Sequence, residues 1–492
     1  MTWSQFIMAL AWVIDGDLRK KLKSFIRNRP ALALTLLFVM HALGMLYTSD
    51  SNYGWNDLRI KLPMLVLPLV VSTSPRLSLK NFNRFMMLYL AAVLYATLHC
   101  TIVWLGWTWH HVIDIRDISV FISHIRFSFY IDIGILTIIY FIYTYHKSIP
   151  RIATLLLLVL MTWFFGFLVI LQAVTGMIIL LIVLLGLGVY FIFRLKNKFL
   201  KMGIVALLIL IPTGLIVYSL TIYKQVSTVL DKHAEPSDTL TVERHNYENH
   251  SENEMTENGH LIWNYVCWYD LQTEWPKRSK VSFDDVNSRG HILKYTLIRY
   301  MTSKGLRKDA EGMKMLSDED IRNIEQGATN ALYINGGIQS RIHEIAWEIN
   351  DYLKGGNPSG HSVIQRVEYW KTATEIIKKN PVFGVGTGDI NSAFERQYEA
   401  DGSRLDKHHR LKAHDQYLSI TITLGLVGLT IFLFSLFYPI IRNKMWNDYF
   451  YATFLFIAIL SMFTEDTLET QPGVTFFVFF SVFFLFAKPK EN

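Results

Sequence analysis

The chain has 492 residues, of which 51% are hydrophobic, 14% aromatic and only 18% charged, with a mean hydropathy of +0.25; an ordinary soluble domain carries about 25% charge, so one large soluble enzyme is excluded. Two cysteines, Cys100 and Cys267, are too few for a disulfide framework or a cysteine-rich metal site. The formal charge of +7 does not indicate nucleic acid, because residues 223–413, the longest polar stretch, hold 25 Lys and Arg against 28 Asp and Glu; the excess basic charge lies among the apolar segments, where it reports membrane orientation.

The first 15 residues, MTWSQFIMALAWVID, are too short to span and lack the charged start and cleavage site of a signal peptide, so an interfacial or buried helix is expected there. A span needs about 20 mostly apolar residues. Ten segments qualify, near 30–47, 60–75, 85–106, 126–145, 152–172, 174–194, 203–222, 416–440, 448–463 and 473–488, the second and the last two being short. Every second connection is basic: Arg27 and Arg29 precede the first span, Arg76 and Lys80 follow the second, Lys147 and Arg151 the fourth, Arg194 and Lys196 the sixth, Arg442 and Lys444 the eighth, Lys488 and Lys490 the tenth. The positive-inside rule makes those connections cytoplasmic, which puts both termini inside and residues 223–413 outside. The spans read as largely free of central charge. The expected fold is all-α and polytopic, with about ten to twelve membrane helices. An N-terminal membrane domain covers 1–222, a mainly helical outer domain 223–413, and a C-terminal membrane segment 414–492.

Within the outer stretch, Thr239–Gly259 is polar and reads as a mobile loop, while Ile292, Leu293, Leu297, Ile298 and Met301 recur at helical spacing. Ser317 before Asp318, Glu319 and Asp320 is a helix start, and Ser340 another. The run HSVIQRVEYWKTATEIIKK stops at Asn380-Pro381.

Chemistry-bearing residues cluster late in the chain. His414 lies at the outer end of the eighth span, where a neutral imidazole accepts a proton near pH 7; the competing reading is an interfacial histidine that caps a helix. Asp415 is a candidate to orient that ring, although neighbours on a helix point about 100° apart. Arg366 offers a permanently charged fork matched to phosphate oxygens, against a surface ion pair with Glu368 or Glu395. Arg341 has Glu344 and Glu348 as ion-pair alternatives, and Arg410 and Lys412 either hold phosphate or form a solvated basic face. Arg126 and His124 begin the fourth span and either line a donor cavity or snorkel. GVGTGD from Gly384 lacks the Lys-Ser or Lys-Thr and the preceding strand of a nucleotide loop, so Gly384 and Gly386 permit close approach to a substrate or to a neighbouring helix. Glu465, Asp466 and Glu469 either orient a ligand or form a solvated loop. His408 and His409 lack the carboxylates and spacing of a dedicated metal site, and no acidic pair is placed to hold a metal for a nucleotide sugar. No metal and no cofactor is expected.

These residues resemble the O-antigen ligase and O-antigen polymerase superfamily of bacterial inner-membrane glycosyltransferases. His414, Asp415, Gly425 and Gly428 fall in the register of that family's signature, with Asp415 standing where an amide or hydroxyl is usual. Arg366 and Trp370, followed by Asn380, Pro381, Gly384 and Gly386, match its Arg, Trp and Pro-Gly-Gly pattern. FISHIRFSF from Phe121 and EDTLETQPGVTFF from Glu465 resemble a ligase-like branch. Many members open the sixth span with Ser-Arg, where this chain has Thr175-Gly176, leaving Arg341 and Arg126 as alternatives for a second functional arginine.

The resemblance implies a multi-pass inner-membrane protein with a periplasmic loop. Its donor would be a glycan on a polyprenyl (undecaprenyl) diphosphate, and its acceptor lipid A-core or another glycan, joined by metal-independent displacement with inversion. His414 would be the base, Arg366 and Arg341 would hold the diphosphate, and Arg126, Arg410, Trp370, Gly384, Gly386 and Asp415 would line the substrate. Membrane lipids are partners and nucleic acid is not. A polymerase or a protein O-oligosaccharyltransferase of the same superfamily is the alternative; a transporter or sensor would need charge deep in several spans or repeated halves.

Overall fold

The computed structural model describes residues 2–109, 112, 115–230, 238–250, 252–288, 290–334 and 337–489; Lys490 lies outside them. In chain order the first helices are α1 (Thr2–Ile14), α2 (Leu18–Arg27), α3 (Arg29–Gly44), α4 (Ser51–Lys61), α5 (Pro63–Thr73) and α6 (Leu79–Trp104). Then come α7 (His124–Tyr145), α8 (Arg151–Ile170), α9 (Val174–Arg194) and α10 (Lys198–Ser227). The polar stretch holds α11 (Trp268–Glu274), α12 (Leu293–Ser303), α13 (Ala310–Lys314), α14 (Asp318–Glu325), α15 (Gly337–Leu353), α16 (Ser362–Lys379) and α17 (Ile390–Ala400). The last helices are α18 (Gln416–Arg442), α19 (Tyr449–Ser461) and α20 (Gln471–Val482). The chain divides into two units, one of Met1–Thr108, Ile118–Leu187 and Gln365–Asn492, the other of Trp109–Asp117 and Gly188–Ile364.

The protein is an all-α membrane protein. Seven helices among the described residues are long and apolar enough to cross a membrane: α3 with the following turn to Tyr47, α6, α7, α8, α9, α10 and α18. Of the three segments expected to be short, α5 and α19 are shorter still, at 11 and 13 residues, while α20 continues as a π-helical turn to Ala487. Pro63 opens α5 at a position where its missing N–H is not needed, and the Asp448 carboxylate caps α19 by accepting the Tyr451 N–H at 2.9 Å. α1 is tied down by Trp12 to Thr73 and by Gln5 to Thr475, each at 2.8 Å, while Trp3, Phe6, Leu10 and Ile14 stay exposed.

In the first unit, aromatic rings fill the space among α6, α7, α19 and α20. Phe82 meets Phe450 edge-on at 5.3 Å and stacks on Phe483 at 5.6 Å, and Phe454 packs on Phe476 and Phe480. Each such pair contributes about 0.5–1.5 kcal/mol beyond area burial. Lipid tails are as apolar as leucine, so close packing of this kind, rather than hydrophobic exclusion, holds membrane helices together.

Central charge is less sparse than the hydropathy implies. Asp132, in α7, is fully buried, and neither carboxylate oxygen has a hydrogen-bond partner among the described residues. One aspartate hardly lowers the average of a long apolar window, which is why the span is apparent and the acid is not. α9 crosses α7 beside it through Gly176.

Within the polar stretch, residues 365–413 group with the first unit. The second unit has its own core, built on Leu271, Trp275, Leu293, Leu297, Tyr300 and Ile324. Ser317 caps α14 in a reciprocal pair with Asp320, as expected of that start. Part of the presumed loop 239–259 is ordered by the strand pair Thr256–Glu257 and His260–Leu261.

Gly176 supplies a test with an internal control. A Cβ there would sit 2.4 Å from Ser128 Cβ, whereas at Gly186 of the same helix it would meet nothing within 4 Å. Gly176→Ala is expected to lower the unfolding midpoint of detergent-solubilised protein by the equivalent of about 1–3 kcal/mol. Gly186→Ala should leave it unchanged or raise it, since alanine is the better helix former.

Candidate functional site

The site begins with a break in α18. At Gly425 the backbone turns to φ 65 and ψ −168, and the helix resumes beyond it. The groups orphaned by the break are taken up by residues 381–386. Val385 N–H donates to Ile422 C=O at 2.8 Å and Gly386 N–H to Thr423 C=O at 3.0 Å; in return Leu426 N–H donates to Pro381 C=O at 2.8 Å and Val427 N–H to Val382 C=O at 3.2 Å. A Cβ on Gly384 would meet the Ile422 carbonyl at 2.5 Å, and one on Gly425 the Val382 carbonyl at 2.1 Å. Of the two approaches expected of Gly384 and Gly386, to a substrate or to a helix, the described contacts are with α18 and with Thr48. The same loop continues to Asp389, whose carboxylate accepts the Ser49 and Asp50 N–H groups, each at 2.8 Å.

His414 stands immediately before α18, in the left-handed region at φ 48. Its backbone is clamped from both sides: the Trp370 indole donates to the Ala413 carbonyl at 3.0 Å, and His414 N–H donates to Asp466 Oδ2 at 3.1 Å. The Tyr369 ring lies 5.8 Å from the imidazole, centroid to centroid. Asp415 caps α18, accepting the Leu418 N–H at 2.9 Å, and is itself buried. Ser419 Oγ donates to the other oxygen of Asp466 at 2.6 Å, and Gln416 bridges to Leu468 and Met462.

Around this clamp the charges alternate. Arg126 and Arg366 converge on Glu465, at 3.3 and 3.8 Å, and Arg366 also donates to the Thr464 carbonyl at 3.3 Å. The Nε–H of each arginine is buried with no acceptor among the described residues. Lys61 and Lys412 converge on Glu469, at 3.2 and 3.4 Å; Lys61 also pairs with Asp57 at 2.5 Å, and Lys412 donates to Tyr53 Oη at 3.1 Å.

Burial lowers the His414 pKa below its ordinary 6.5; Asp466 opposes that shift, and Arg366, Lys412 and Arg126 add to it. The balance favours the neutral ring. Burial raises Asp466, with Glu469 adding to the effect, and burial raises Glu465 against the pull of Arg126 and Arg366. Burial alone would raise Glu469, yet Lys61 and Lys412 hold it well below the carboxylate range. Asp415 is pushed up to about 6 by burial.

The first unit thus unites His414, Arg366, Arg126, Trp370 and Asp415. Arg410 belongs to the preceding turn, its guanidinium donating to the carbonyls of Leu405 and Ser403. Arg341 lies in the second unit, where it holds Glu344 and Ser362, each at 2.5 Å. Asp57, Lys61 and Tyr53 were not singled out from sequence. The available signal was the i,i+4 spacing of Asp57 and Lys61 at the edge of an apolar run.

Residues 328–433 match the family described as O-antigen ligase. That segment is similar to the O-antigen ligase family. No curated protein matches the chain. The matched segment takes in Arg341, Arg366, Trp370, the 381–386 splice and His414 through Gly428. Arg126 and the acidic residues 465–469 lie outside it.

Gly425→Ala combines a positive φ with a backbone clash, and the expected cost is about 3 kcal/mol or more. Fluorescence-detected size exclusion of the tagged protein should show loss of the monodisperse peak; an unchanged melting profile would contradict the splice.

Proposed function

We propose that this protein is an O-antigen ligase-like glycosyltransferase of the bacterial inner membrane. It moves a glycan from a polyprenyl diphosphate to a hydroxyl of an acceptor such as lipid A-core, at the periplasmic face, with both termini cytoplasmic. The observation that carries the reading is a half-buried imidazole beside two guanidinium groups, each with a buried Nε–H that has no acceptor among the described residues. His414 takes the proton of the acceptor hydroxyl as its oxygen attacks the anomeric carbon. The bond from that carbon to the diphosphate oxygen breaks on the opposite face, and its electron pair leaves with the diphosphate. Arg366 neutralises that developing charge, with fixed donors that need no reorganisation as it forms. Arg126 shares Glu465 with Arg366 and is the better placed of the two alternatives for the second arginine; Arg341 remains a candidate from its place in the matched segment. Diphosphate departure needs no nucleotide, and transfer is expected to persist in the presence of a chelator.

His414→Ala should abolish attachment of polysaccharide to its acceptor while the protein remains in the membrane; retained attachment removes the base. Arg366→Lys and Arg126→Lys, which keep the charge and lose the fork, should lower kcat/KM by about tenfold to a hundredfold. In a deletion strain, polymer left on its carrier supports ligation, single-repeat products support polymerisation, and unglycosylated protein supports protein transfer.

The pH dependence has a definite sign. Only neutral His414 is active, so kcat/KM should rise with pH through a pKa below 6.5 and be flat at neutrality. Asp466 raises that pKa, so Asp466→Asn should move the rising limb to lower pH. A limb that stays in place in a pH-rate profile of the variant would dissociate Asp466 from the base.

A further inference from the structure

The second unit contains a group of donors that glycan transfer leaves unused. The turn Thr241–His245 closes by Thr241 N–H to the His245 carbonyl at 2.8 Å and His245 N–H to Thr241 Oγ1 at 3.1 Å, with Arg244 at φ 66. His245 Nδ1 stands 2.5 Å from Asp270 Oδ1, and the Tyr269 ring lies against the imidazole at 4.4 Å between centroids. Cys267 immediately precedes α11 and Asp270 is in its first turn, so a three-residue spacing brings both to one end of that helix. One ligating atom from each of His245, Cys267 and Asp270 lies within 4.8 Å of the others.

The group is held from behind. Asp270 Oδ2 accepts the Ala310 N–H at 3.2 Å, and the Cys267 N–H donates to the Lys308 carbonyl at 2.8 Å. Cys267 and Asp270 are buried, whereas the His245 side chain is 34% exposed. The donors are thus fixed on the protein side and open on the solvent side.

We propose that His245, Cys267 and Asp270 bind a zinc-class divalent cation, with water in the fourth position. Thiolate and imidazole select such a metal over magnesium or calcium, which take oxygen ligands. Atoms at about 2.0–2.3 Å from a tetrahedral ion lie about 3.3–3.8 Å apart, inside the span observed. The His245–Asp270 pair, at 2.5 Å, must open by about 1 Å. Binding releases the thiol proton of Cys267, and any proton on the bonded imidazole nitrogen, to solvent. The ion cross-links the turn 241–245 to α11. The proposal stands apart from the glycosyl-transfer chemistry.

The full chain, purified with a tag free of histidine and without chelator, should retain about one zinc per chain by elemental analysis. Cobalt(II) added to stripped protein should give a sulfur-to-metal charge-transfer band that persists in Cys100→Ser and vanishes in Cys267→Ser. His245→Gln and Cys267→Ser should each lose the zinc while keeping helical circular dichroism. If a variant fails to fold, the cobalt spectrum of the native sequence decides alone. A wild-type chain without zinc and without that band, or equal zinc in all variants, overturns the site.

Discussion

Glu465, Asp466 and Glu469, three acids within five residues, the first two buried and the third with its side chain only 8% exposed, tie together most of what surrounds the candidate site. Glu465 meets Arg126 of α7 and Arg366 of α16; Asp466 accepts the His414 N–H and Ser419 of α18; Glu469 meets Lys61 of α4 and Lys412. An unpaired buried charge costs several kcal/mol, and removing one partner of a buried pair typically costs about 3–5 kcal/mol. These helices therefore settle around the acidic segment together, and each cation is positioned before any ligand arrives. That preorganisation is what electrostatic catalysis requires.

The same arrangement bears on how an anion would enter. Burial raises the Glu465 pKa against the opposing pull of the two guanidinium groups. Glu469 is the opposite case, kept ionised by two ammonium groups. Under the proposed reading the Glu465 side of the site yields to a diphosphate, while the Glu469 side stays fixed and keeps Lys412 in place near His414. On that reading the two halves of the acidic segment separate binding from scaffolding.

Apolar runs of membrane length made the long helices legible in the sequence, and local capping chemistry made Ser317 legible as a start and Asn380-Pro381 as a stop. His414, Arg366 and Trp370 were legible through register and residue type. What stayed hidden was long-range. The charge of Glu465 and Glu469 reads equally as a solvated loop until the partners, from 57 to 408 residues earlier, are brought in; Lys61 sits at a span edge where a basic residue ordinarily marks orientation. Asp132 was averaged away by its apolar neighbours. The split of the polar stretch at 364–365 follows from the 381–389 loop bonding to α18 and to the start of α4, a relation that composition does not encode.

The broken helix explains why that loop must be where it is. Non-helical backbone within a membrane helix is tolerated only where protein satisfies the freed groups, and here residues 381–386 satisfy them on both sides of Gly425. A straight α18 would need no glycine at 425 and would leave the amides of Val385 and Gly386 without acceptors. Breaking the helix therefore obliges the preceding loop to pack against it, and the loop in turn sets the length of chain from Trp370 to His414 that must close over the site. Trp370 and Asp466 fasten that closure at two points flanking one imidazole. Both strands of the splice lie within the segment matched to the O-antigen ligase family, so the part of the chain that carries the likeness is the part that holds His414 at the mouth of α18, whereas the acidic segment that sets the charge around it is supplied from outside.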